Sequence, residues 1–328
     1  MTDSEKIPVL AVVGPTASGK TSLGVMLAKA YHGEVVSADS MQIYQGLDVG
    51  TAKVTPEEMQ GVPHHLVGFL GPEQIGCVPV NAAFSVADYL ALAKPTIAEI
   101  YHRKHLPVLV GGTGLYVSSL LSNVQLAPTT QDAALRQKFL EYAKEHGNIA
   151  LHDQLKALDP EAAAEIHPNN LVRVIRALEV CTLTGKTFTA CKAESHQIPS
   201  PYQSLIIGLT YERSVLYERI NTRVDQMIEQ GMIEEAYHVY QNEALRTAYH
   251  AIGYKELIPY FEKKMPLQAC IDKIKQETRR YAKRQLTWFR KNDRIQWIIL
   301  DKSDKKPEIM EKCQKIIAKS GEMCYNIN

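Results

Sequence analysis

Five apolar runs along the chain predict buried β-strands. They are apolar on both faces rather than alternating, and small or polar residues follow each one, which is typical of parallel strands covered by helices on both sides. In chain order the runs read PVLAVV, EVVSAD, LPVLVGG, SLIIGLT and IQWIIL. Patterns of helical period lie between them, so the chain is predicted to form an α/β fold with a doubly wound parallel sheet. Such a sheet binds its ligand at the carboxyl ends of the strands.

The middle of the chain follows a different pattern. Between Asn123 and Pro201 no strand signal occurs, and four stretches of helical period are separated by turn residues. We therefore predict an all-helical insertion within one core domain. The predicted organisation is a first part of the core, the insertion, a second part of the core with a basic C-terminal helix, and a polar tail, at residues 1–122, 123–200, 201–301 and 302–328.

A phosphate-binding motif lies directly after the first predicted strand. The segment GPTASGKT has the spacing G-x-x-x-x-G-K-[ST] and precedes a helical pattern. In such a P-loop, backbone N–H groups surround phosphate oxygens and the helix N-terminus adds a favourable dipole. Lys20 would add a positive charge, and the Thr21 hydroxyl would reach a Mg²⁺ ion. The residues assigned to this cradle are Gly14, Pro15, Thr16, Ala17, Ser18, Gly19, Lys20 and Thr21.

Composition narrows the class of protein. The 328 residues are 45% hydrophobic and 22% charged, which is typical of a folded globular protein with room for one large domain and an insertion. No run approaches the roughly 20 apolar residues that cross a bilayer, and no signal peptide is recognisable. Six cysteines occur without a C-x-x-C pair. We therefore expect reduced thiols, no zinc site, no membrane association and a cytoplasmic location.

Charge is distributed unevenly although the net charge is only +1. Nine Lys or Arg residues and two acidic residues lie between Lys273 and Arg294, a local excess of seven positive charges, whereas the predicted insertion carries eight basic and nine acidic residues. A basic helix is either a solvated face or a surface for nucleic-acid phosphates. Charge alone leaves both interpretations open.

One acidic residue ends a predicted strand. A P-loop kinase or ATPase usually places a Mg²⁺-binding carboxylate there, but LPVLVGG runs into TGLY without an acid. The acid that does end a strand is Asp39, in VVSADSMQIY. It would face a substrate bound beside the P-loop, and capping of the following turn is the alternative role.

Taken together with the P-loop, eight ordered blocks resemble the tRNA dimethylallyltransferases, the bacterial tRNA isopentenyltransferase family. They read SADSMQIYQGLDVGTAKVTPEE, GVPHHLVG, FSVADY, LPVLVGGTGLY, IHPNN…RVIRALEV, RINTRVDQMIEQGMIEEA, AIGYKEL and TRRYAKRQLTWFR. The resemblance implies a P-loop NTPase-like fold. It also implies transfer of the dimethylallyl group of dimethylallyl diphosphate to the N6 amine of the adenosine 3′-adjacent to the tRNA anticodon. The P-loop would then hold a diphosphate leaving group with Mg²⁺.

The same resemblance assigns site residues. Asp39 becomes the general base, while Lys20 and Arg223 act on the diphosphate, with Arg219 equally placed on the same helix. The target adenosine is stacked in the anticodon loop, so it is expected to be extruded into a pocket. The residues expected to contact tRNA are Asp39, Ser40, Met41, Gln42, Thr113, Arg136, Arg173, Arg176, Lys283, Arg284 and Gln285.

Other functions remain open at this point. An enzyme that prenylates free adenine nucleotides would share the P-loop and Asp39 but would need neither the insertion nor the basic helix. A small-molecule kinase would need a second Mg²⁺ carboxylate and an arginine-bearing lid. A P-loop RNA-binding module leaves Asp39 and Arg223 unexplained. Two further features carry no predicted catalytic role: the loop Ile75–Ala83, which is extra relative to the resembling family, and the His64–His65 pair, expected to be structural. The chain is expected to act as a monomer.

Overall fold

The computed structural model describes residues 6–71, 84–125, 132–242 and 251–320, so the extra loop Ile75–Ala83 lies outside the described residues. The chain divides into two compact units. One comprises Met1–Leu121 and Pro201–Asn328, and the other comprises Ser122–Ser200.

The first unit is built on a six-stranded parallel sheet in the order β3-β2-β4-β1-β5-β6. Its strands are β1 Ile7–Val13, β2 Gly33–Ser37, β3 His64–His65, β4 Leu106–Gly111, β5 Tyr202–Tyr211 and β6 Ile295–Leu300. Leu10 of β1 pairs with Val108 of β4 on one side and with Leu205 of β5 on the other. All five predicted strands occur and the α/β fold class is confirmed, but the edge strand β3 was not predicted.

Nine described helices accompany this sheet. They are α1 Lys20–Ala30, α2 Pro56–Met59, α3 Val86–His102, α4 Gly114–Leu121, α9 Arg213–Glu229, α10 Met232–Gln241, α11 Tyr254–Phe261, α12 Leu267–Phe289 and α13 Lys306–Lys319. The predicted basic helix corresponds to α12, which ends at Phe289, so the basic residues from Arg290 to Arg294 follow the helix rather than belong to it.

The sheet is covered on both faces. Val9 and Ala11 of β1 pack into one apolar cluster with α3 and α4, whereas the intervening Leu10 and Val12 pack into a second cluster with α1 and α13. This is the consequence of side chains that alternate between the two faces of a strand. A third cluster packs α9 to α12 against the segment Ile43–Leu47, which follows β2 at the carboxyl edge of the sheet.

The segment predicted as a polar tail, 302–328, contains a helix. Cys313 and Ile317 of α13 are buried in the cluster that also contains α1. The stripe of apolar residues at helical spacing is narrow and lies in a mostly polar sequence, so the composition of the segment did not predict helix α13. The tail is therefore part of the core up to Lys319, and residues 321–328 lie outside the described part of the chain.

In its described residues the second unit contains helices and no strand. Its helices are α5 Ala133–Leu158, α6 Pro160–Glu165, α7 Leu171–Thr184 and α8 Phe188–Glu194, and Gly147 interrupts α5 with a φ of 88°. Leu151 and Leu155 of α5 pack against Val174 and Leu178 of α7 to form its core. No helix in the described parts of either unit is long and apolar enough to cross a membrane.

Candidate active site

The P-loop connects β1 to α1 and contains a buried polar atom without a partner. Ser18 is fully buried, and its Oγ makes no hydrogen bond to any described residue. An orphaned hydroxyl inside a loop costs free energy unless a ligand or water satisfies it. Ala17 also adopts a φ of 61°, a left-handed conformation that costs a residue with a side chain about 1–2 kcal/mol. The loop therefore has features that fit a bound phosphate group.

Lys20 is a cation held in this loop without a carboxylate partner among the described residues. Its Nζ donates a hydrogen bond to the Pro15 carbonyl oxygen at 2.6 Å. Burial and, to a smaller extent, the nearby positive charge of Arg223 lower the pKa of Lys20 to about 7, against the opposing effect of the negative charge of Asp39. Because a bound anion would reverse this destabilisation of the charged form, the site is suited to a strongly negative ligand.

Two cavities meet at the P-loop. One has a volume of about 860 Å³ and the other about 400 Å³. Both are lined by Ala17, Lys20, Thr21, Arg223 and Met227. The larger cavity also has charged walls, which include Asp48, Lys53, Glu58, Glu218, Arg219 and Lys302. The smaller cavity joins Asp39 to apolar walls formed by Ile220, Val224, Met232 and Ile274. Lys20 and Arg223 thus lie where the two cavities meet, with further charged residues on one side and Asp39 beside an apolar wall on the other.

Asp39 lies just after β2, beside this boundary. Its Oδ1 accepts hydrogen bonds from the backbone N–H groups of Met41 at 2.9 Å and Gln42 at 3.4 Å. No described residue donates to its Oδ2. The carboxylate therefore caps the following turn with Oδ1, which is the alternative role that the sequence left open. Its Oδ2 can still act as an acceptor in the smaller cavity.

Thr113 fixes the turn that carries Asp39. It follows β4, its Oγ1 accepts from the Ser40 N–H at 3.0 Å, and its own N–H donates to the Ala38 carbonyl at 3.1 Å. Both flanks of Asp39 are thus bonded to one residue. Thr113 was predicted as a tRNA contact, and these bonds also give it a positioning role toward Asp39.

The two arginines of α9 have different surroundings. Arg219 donates from Nε to the Ala17 carbonyl at 3.0 Å, and its guanidinium lies 4.4 Å from the centre of the Tyr211 ring. Arg223 lines both cavities, and burial lowers its pKa against the opposing effects of Asp39 and Glu58. Arg219 therefore supports the strained loop, whereas Arg223 lies on the boundary where a diphosphate would bind.

The remaining predicted tRNA contacts of the first unit fall into two groups. Ser40 and Met41 line the smaller cavity, and so does Gln42, although its Nε2 donates to the carbonyl oxygens of Thr51 and Ala52. On α12, Lys283 and Arg284 are exposed to solvent.

Gln285 differs from its two neighbours on α12 because it is buried and its amide bonds to protein at both ends. Its contact with RNA stays a prediction, and its hydrogen bonds connect two segments of the protein.

Two predicted RNA contacts in the helical unit take part in internal ion pairs. Arg136 and Arg176 contact the fully buried carboxylate of Glu179 at 2.8 and 2.6 Å. A buried carboxylate needs such partners, so both arginines have a structural role that the sequence did not indicate. Arg173 is exposed. RNA binding by these three residues stays a prediction.

Glu235, which no sequence motif indicated, holds the segment that separates the two cavities. Glu235 of α10 accepts hydrogen bonds from three consecutive backbone N–H groups, those of Asp48, Val49 and Gly50, at 2.7 to 2.9 Å. Tyr254 donates a fourth at 2.8 Å. No local sequence signal could have found this contact, because Glu235 lies far along the chain from the loop it holds.

The histidine pair has a structural partner. His65 Nε2 lies 2.6 Å from the buried carboxylate of Glu34, which also contacts Arg103 and His105. No cluster of His, Cys, Asp or Glu in the described ranges could hold a metal ion. At the P-loop itself, the Thr21 hydroxyl is suited to a Mg²⁺ that arrives with a diphosphate, since Mg²⁺ commonly binds few protein groups and completes its shell with phosphate oxygens and water.

The chain is similar to known proteins over nearly its whole length. A family model described as IPP transferase matches residues 42–292, and one described as isopentenyl transferase matches residues 7–67. A tRNA dimethylallyltransferase from Halalkalibacterium halodurans is 49% identical over 308 residues, which cover 93% of this chain and 95% of that protein.

Solved structures agree with this similarity. The crystal structure of a full-length tRNA isopentenylpyrophosphate transferase from Bacillus halodurans is 47% identical with a TM-score of 0.70, and the match covers 97% of this chain and 98% of that one. A eukaryotic dimethylallyltransferase acting on tRNA is 26% identical with a TM-score of 0.79, and covers 95% of this chain and 80% of that one.

Proposed function

The chain belongs to the IPP transferase family, and we propose that it transfers the dimethylallyl group of dimethylallyl diphosphate to the N6 amine of the adenosine 3′-adjacent to the anticodon of tRNA. Diphosphate is the other product. The observation that carries this proposal is the boundary between the two cavities, where Lys20 and Arg223 of an anion cradle lie beside Asp39, whose Oδ2 has no donor among the described residues.

The first part of the reaction is departure of the diphosphate. As the bond between the allylic carbon and oxygen breaks, its electron pair leaves with the diphosphate and positive charge develops on the five-carbon group. Backbone N–H groups of the P-loop, the Lys20 ammonium and the Arg223 guanidinium stabilise the negative charge that collects on the leaving group. Mg²⁺ held through the Thr21 hydroxyl and the diphosphate oxygens would neutralise further charge there.

The second part is attack by the adenosine amine. The N6 lone pair is delocalised into the purine ring, so the amine becomes an effective nucleophile only as its proton is removed. The new bond forms between N6 and the allylic carbon, and the proton passes to the Asp39 carboxylate through Oδ2. The turn bonded to Oδ1 fixes the orientation of this base, so Asp39 requires no reorganisation when the substrate arrives.

The RNA must present an extruded base. Flipping a stacked nucleotide costs a few kcal/mol, and phosphate contacts elsewhere offset that cost. Lys283 and Arg284 are exposed on α12, and Arg284 also lines the smaller cavity that contains Asp39. We propose that they contact the anticodon stem-loop, together with the exposed Arg173 of the helical unit. Action as a monomer stays a prediction.

The proposal is tested with radiolabelled dimethylallyl diphosphate. The label is expected to enter an unmodified anticodon stem-loop RNA and not AMP. Label in AMP alone would favour the free-nucleotide enzyme, and transfer of phosphate from ATP without a prenyl donor would favour a kinase. Either result would overturn the proposal.

A substitution isolates the role of Asp39. Asp39→Asn keeps an oxygen that can cap the turn but cannot accept the proton, so we expect turnover to fall on the order of 10²–10⁴ while tRNA affinity changes little. The matched control is Asp48→Asn, which changes a carboxylate of the larger cavity wall. Near-wild-type turnover of Asp39→Asn would remove this residue from the mechanism.

A further inference from the structure

We propose that Gln285 is a positioning residue that holds the phosphate loop and the Asp39 turn in register. The kinetic part of this inference rests on the proposed transfer reaction. The residue lies on the basic helix α12, and resemblance alone assigned it to RNA. Its contacts instead connect the two parts of the site that must act on the same pair of substrates.

The amide of Gln285 bonds to protein at both ends. Its Oε1 accepts from the Thr16 N–H of the P-loop at 2.9 Å, and its Nε2 donates to the Gly112 carbonyl after β4 at 2.9 Å. The side chain is only 6% exposed. A primary amide offers a donor and an acceptor on one rigid plane, so a single residue can satisfy both backbone groups.

The packing around the amide is tight. A Cβ atom at Gly112 would lie 2.3 Å from Gln285 Nε2, so any side chain there would displace the amide from its present position. Gln285 also lies on the inward face of α12, since Ala282 and Phe289 at helical spacing are buried with it. Its neighbours Lys283 and Arg284 are exposed. The helix thus presents cations outward and this amide inward.

A short chain of bonds extends from Gln285 to the general base. The Gly112 peptide leads directly into Thr113, whose N–H donates to the Ala38 carbonyl and whose Oγ1 accepts from the Ser40 N–H. Ala38 and Ser40 flank Asp39. One buried amide therefore connects the P-loop to the turn that carries Asp39. The precision of this connection matters, because a displacement of catalytic groups by about 1 Å lowers the reaction rate on the order of 10²-fold.

Two variants test this role. Gln285→Met has similar length and removes both hydrogen bonds. Gln285→Glu keeps an acceptor for Thr16 but, when ionised, turns an oxygen toward the Gly112 carbonyl, whereas its protonated form can donate as the amide does. The matched control is Lys283→Met, an exposed position two residues away on the same helix.

Three quantities are measured on the full-length protein: the affinity for an anticodon stem-loop RNA, the single-turnover rate at saturating substrates, and the affinity for dimethylallyl thiolodiphosphate without RNA. For Gln285→Met we expect RNA affinity within about threefold of wild type, with a rate on the order of 10–100-fold lower and a weakened affinity for the analogue. Lys283→Met is expected to weaken RNA binding and to reduce its salt slope by about 1. The rate of Gln285→Glu relative to wild type is expected to rise as the pH is lowered from 8 to 6.

Several results would overturn the inference. RNA affinity at least tenfold weaker in Gln285→Met, with an unchanged rate at saturating RNA, would make the residue an RNA contact. A rate loss that only matches the loss of folded protein, measured by urea unfolding, would make it a general packing residue. If the wild type does not alkylate RNA, the proposed function is wrong, but the role of Gln285 can still be tested by binding of the analogue. In that case an unchanged affinity of Gln285→Met for the analogue would overturn the inference.

Discussion

Binding of a diphosphate is expected to draw a proton onto Lys20. In the ligand-free protein, burial and the positive charge of Arg223 lower the pKa of Lys20 from 10.5 to about 7. A bound diphosphate monoester carries several negative charges beside the ammonium and favours its charged form, so the pKa of Lys20 should return toward its ordinary value. Ligand binding and protonation of Lys20 are therefore linked.

The size of this linkage follows from the pKa. A shift from 10.5 to about 7 corresponds to about 5 kcal/mol of destabilisation of the charged form in the ligand-free site. At pH 8 only about a tenth of the ligand-free protein carries a charged Lys20, so binding should take up about 0.9 proton. Between about pH 8 and pH 10 the affinity should fall by up to tenfold per pH unit.

Isothermal titration calorimetry in two buffers with different ionisation enthalpies measures this uptake directly. Dimethylallyl thiolodiphosphate is a suitable ligand, because its terminal phosphate, with a pKa of about 6, is already ionised at pH 8. Lys20→Arg is the matched control, since arginine keeps the charge and does not titrate in this range. An uptake near zero in the wild type, or an equal uptake in Lys20→Arg, would refute the reasoning.

Three further outcomes follow from buried charges. Lys20→Met should raise the free energy of unfolding at pH 7 by at least about 1 kcal/mol. This gain should shrink as the pH rises toward 10.5, because between pH 7 and 10.5 the lysine of the wild type is protonated in the unfolded chain but mostly neutral in the folded protein. A gain that grows with pH in urea titrations would contradict this. Glu34→Ala should lower the free energy of unfolding by about 1.5–3 kcal/mol, because it removes the buried carboxylate that accepts a charge-assisted hydrogen bond from Arg103. Burial raises the pKa of Glu34, but hydrogen bonds with Arg103, His65 and His105 outweigh it and hold the pKa below its ordinary value. The stabilisation by Glu34 should therefore be present above the pKa of a free glutamate and be lost as the pH falls below it, and a flat difference between wild type and variant from pH 7 to pH 3 would exclude this origin. Glu179→Ala should destabilise the helical unit by about 3 kcal/mol, because it removes the partner of Arg136 and Arg176. Hydrogen exchange should then show earlier loss of amide protection in α5 and α7. Unchanged protection in these helices would show that the ion pairs of Glu179 contribute little.

The fold class was predictable because long strands covered on both faces leave runs of apolar residues that are visible without any partner. The two elements that escaped prediction lack such runs. Strand β3 consists of His64 and His65 at the edge of the sheet, where pairing with β2 rather than burial defines it. Helix α13 buries only Cys313 and Ile317, so the pattern that would predict it is a narrow apolar stripe in a polar segment.

The site was predictable where its residues are adjacent in sequence. The P-loop and Asp39 each lie in a short motif, whereas the contact between Thr16 and Gln285 joins residues 269 positions apart. Sequence spacing also could not separate Arg219 from Arg223, because both lie on one face of α9. Their difference depends on which one bonds to the Ala17 carbonyl and which one lines both cavities, and only packing determines that.

The end of β4 explains why the acid of this site lies on a different strand from the one that kinases and ATPases use. A Cβ atom at Gly111 would lie 2.2 Å from the Ala38 carbonyl oxygen, and one at Gly112 would meet the Gln285 amide. A carboxylate at Gly111 would therefore move the backbone that carries Asp39, and one at Gly112 would displace the Gln285 amide. The close approach that brings β4 against the Asp39 turn therefore excludes an acid at Gly111, and at the same time it lets Thr113 and Gln285 hold Asp39, the proposed base, beside the phosphate loop. Transfer of an alkyl group needs a base for the nucleophile more than it needs a second protein ligand for the metal. The end of β4 meets the first need, because it positions Asp39.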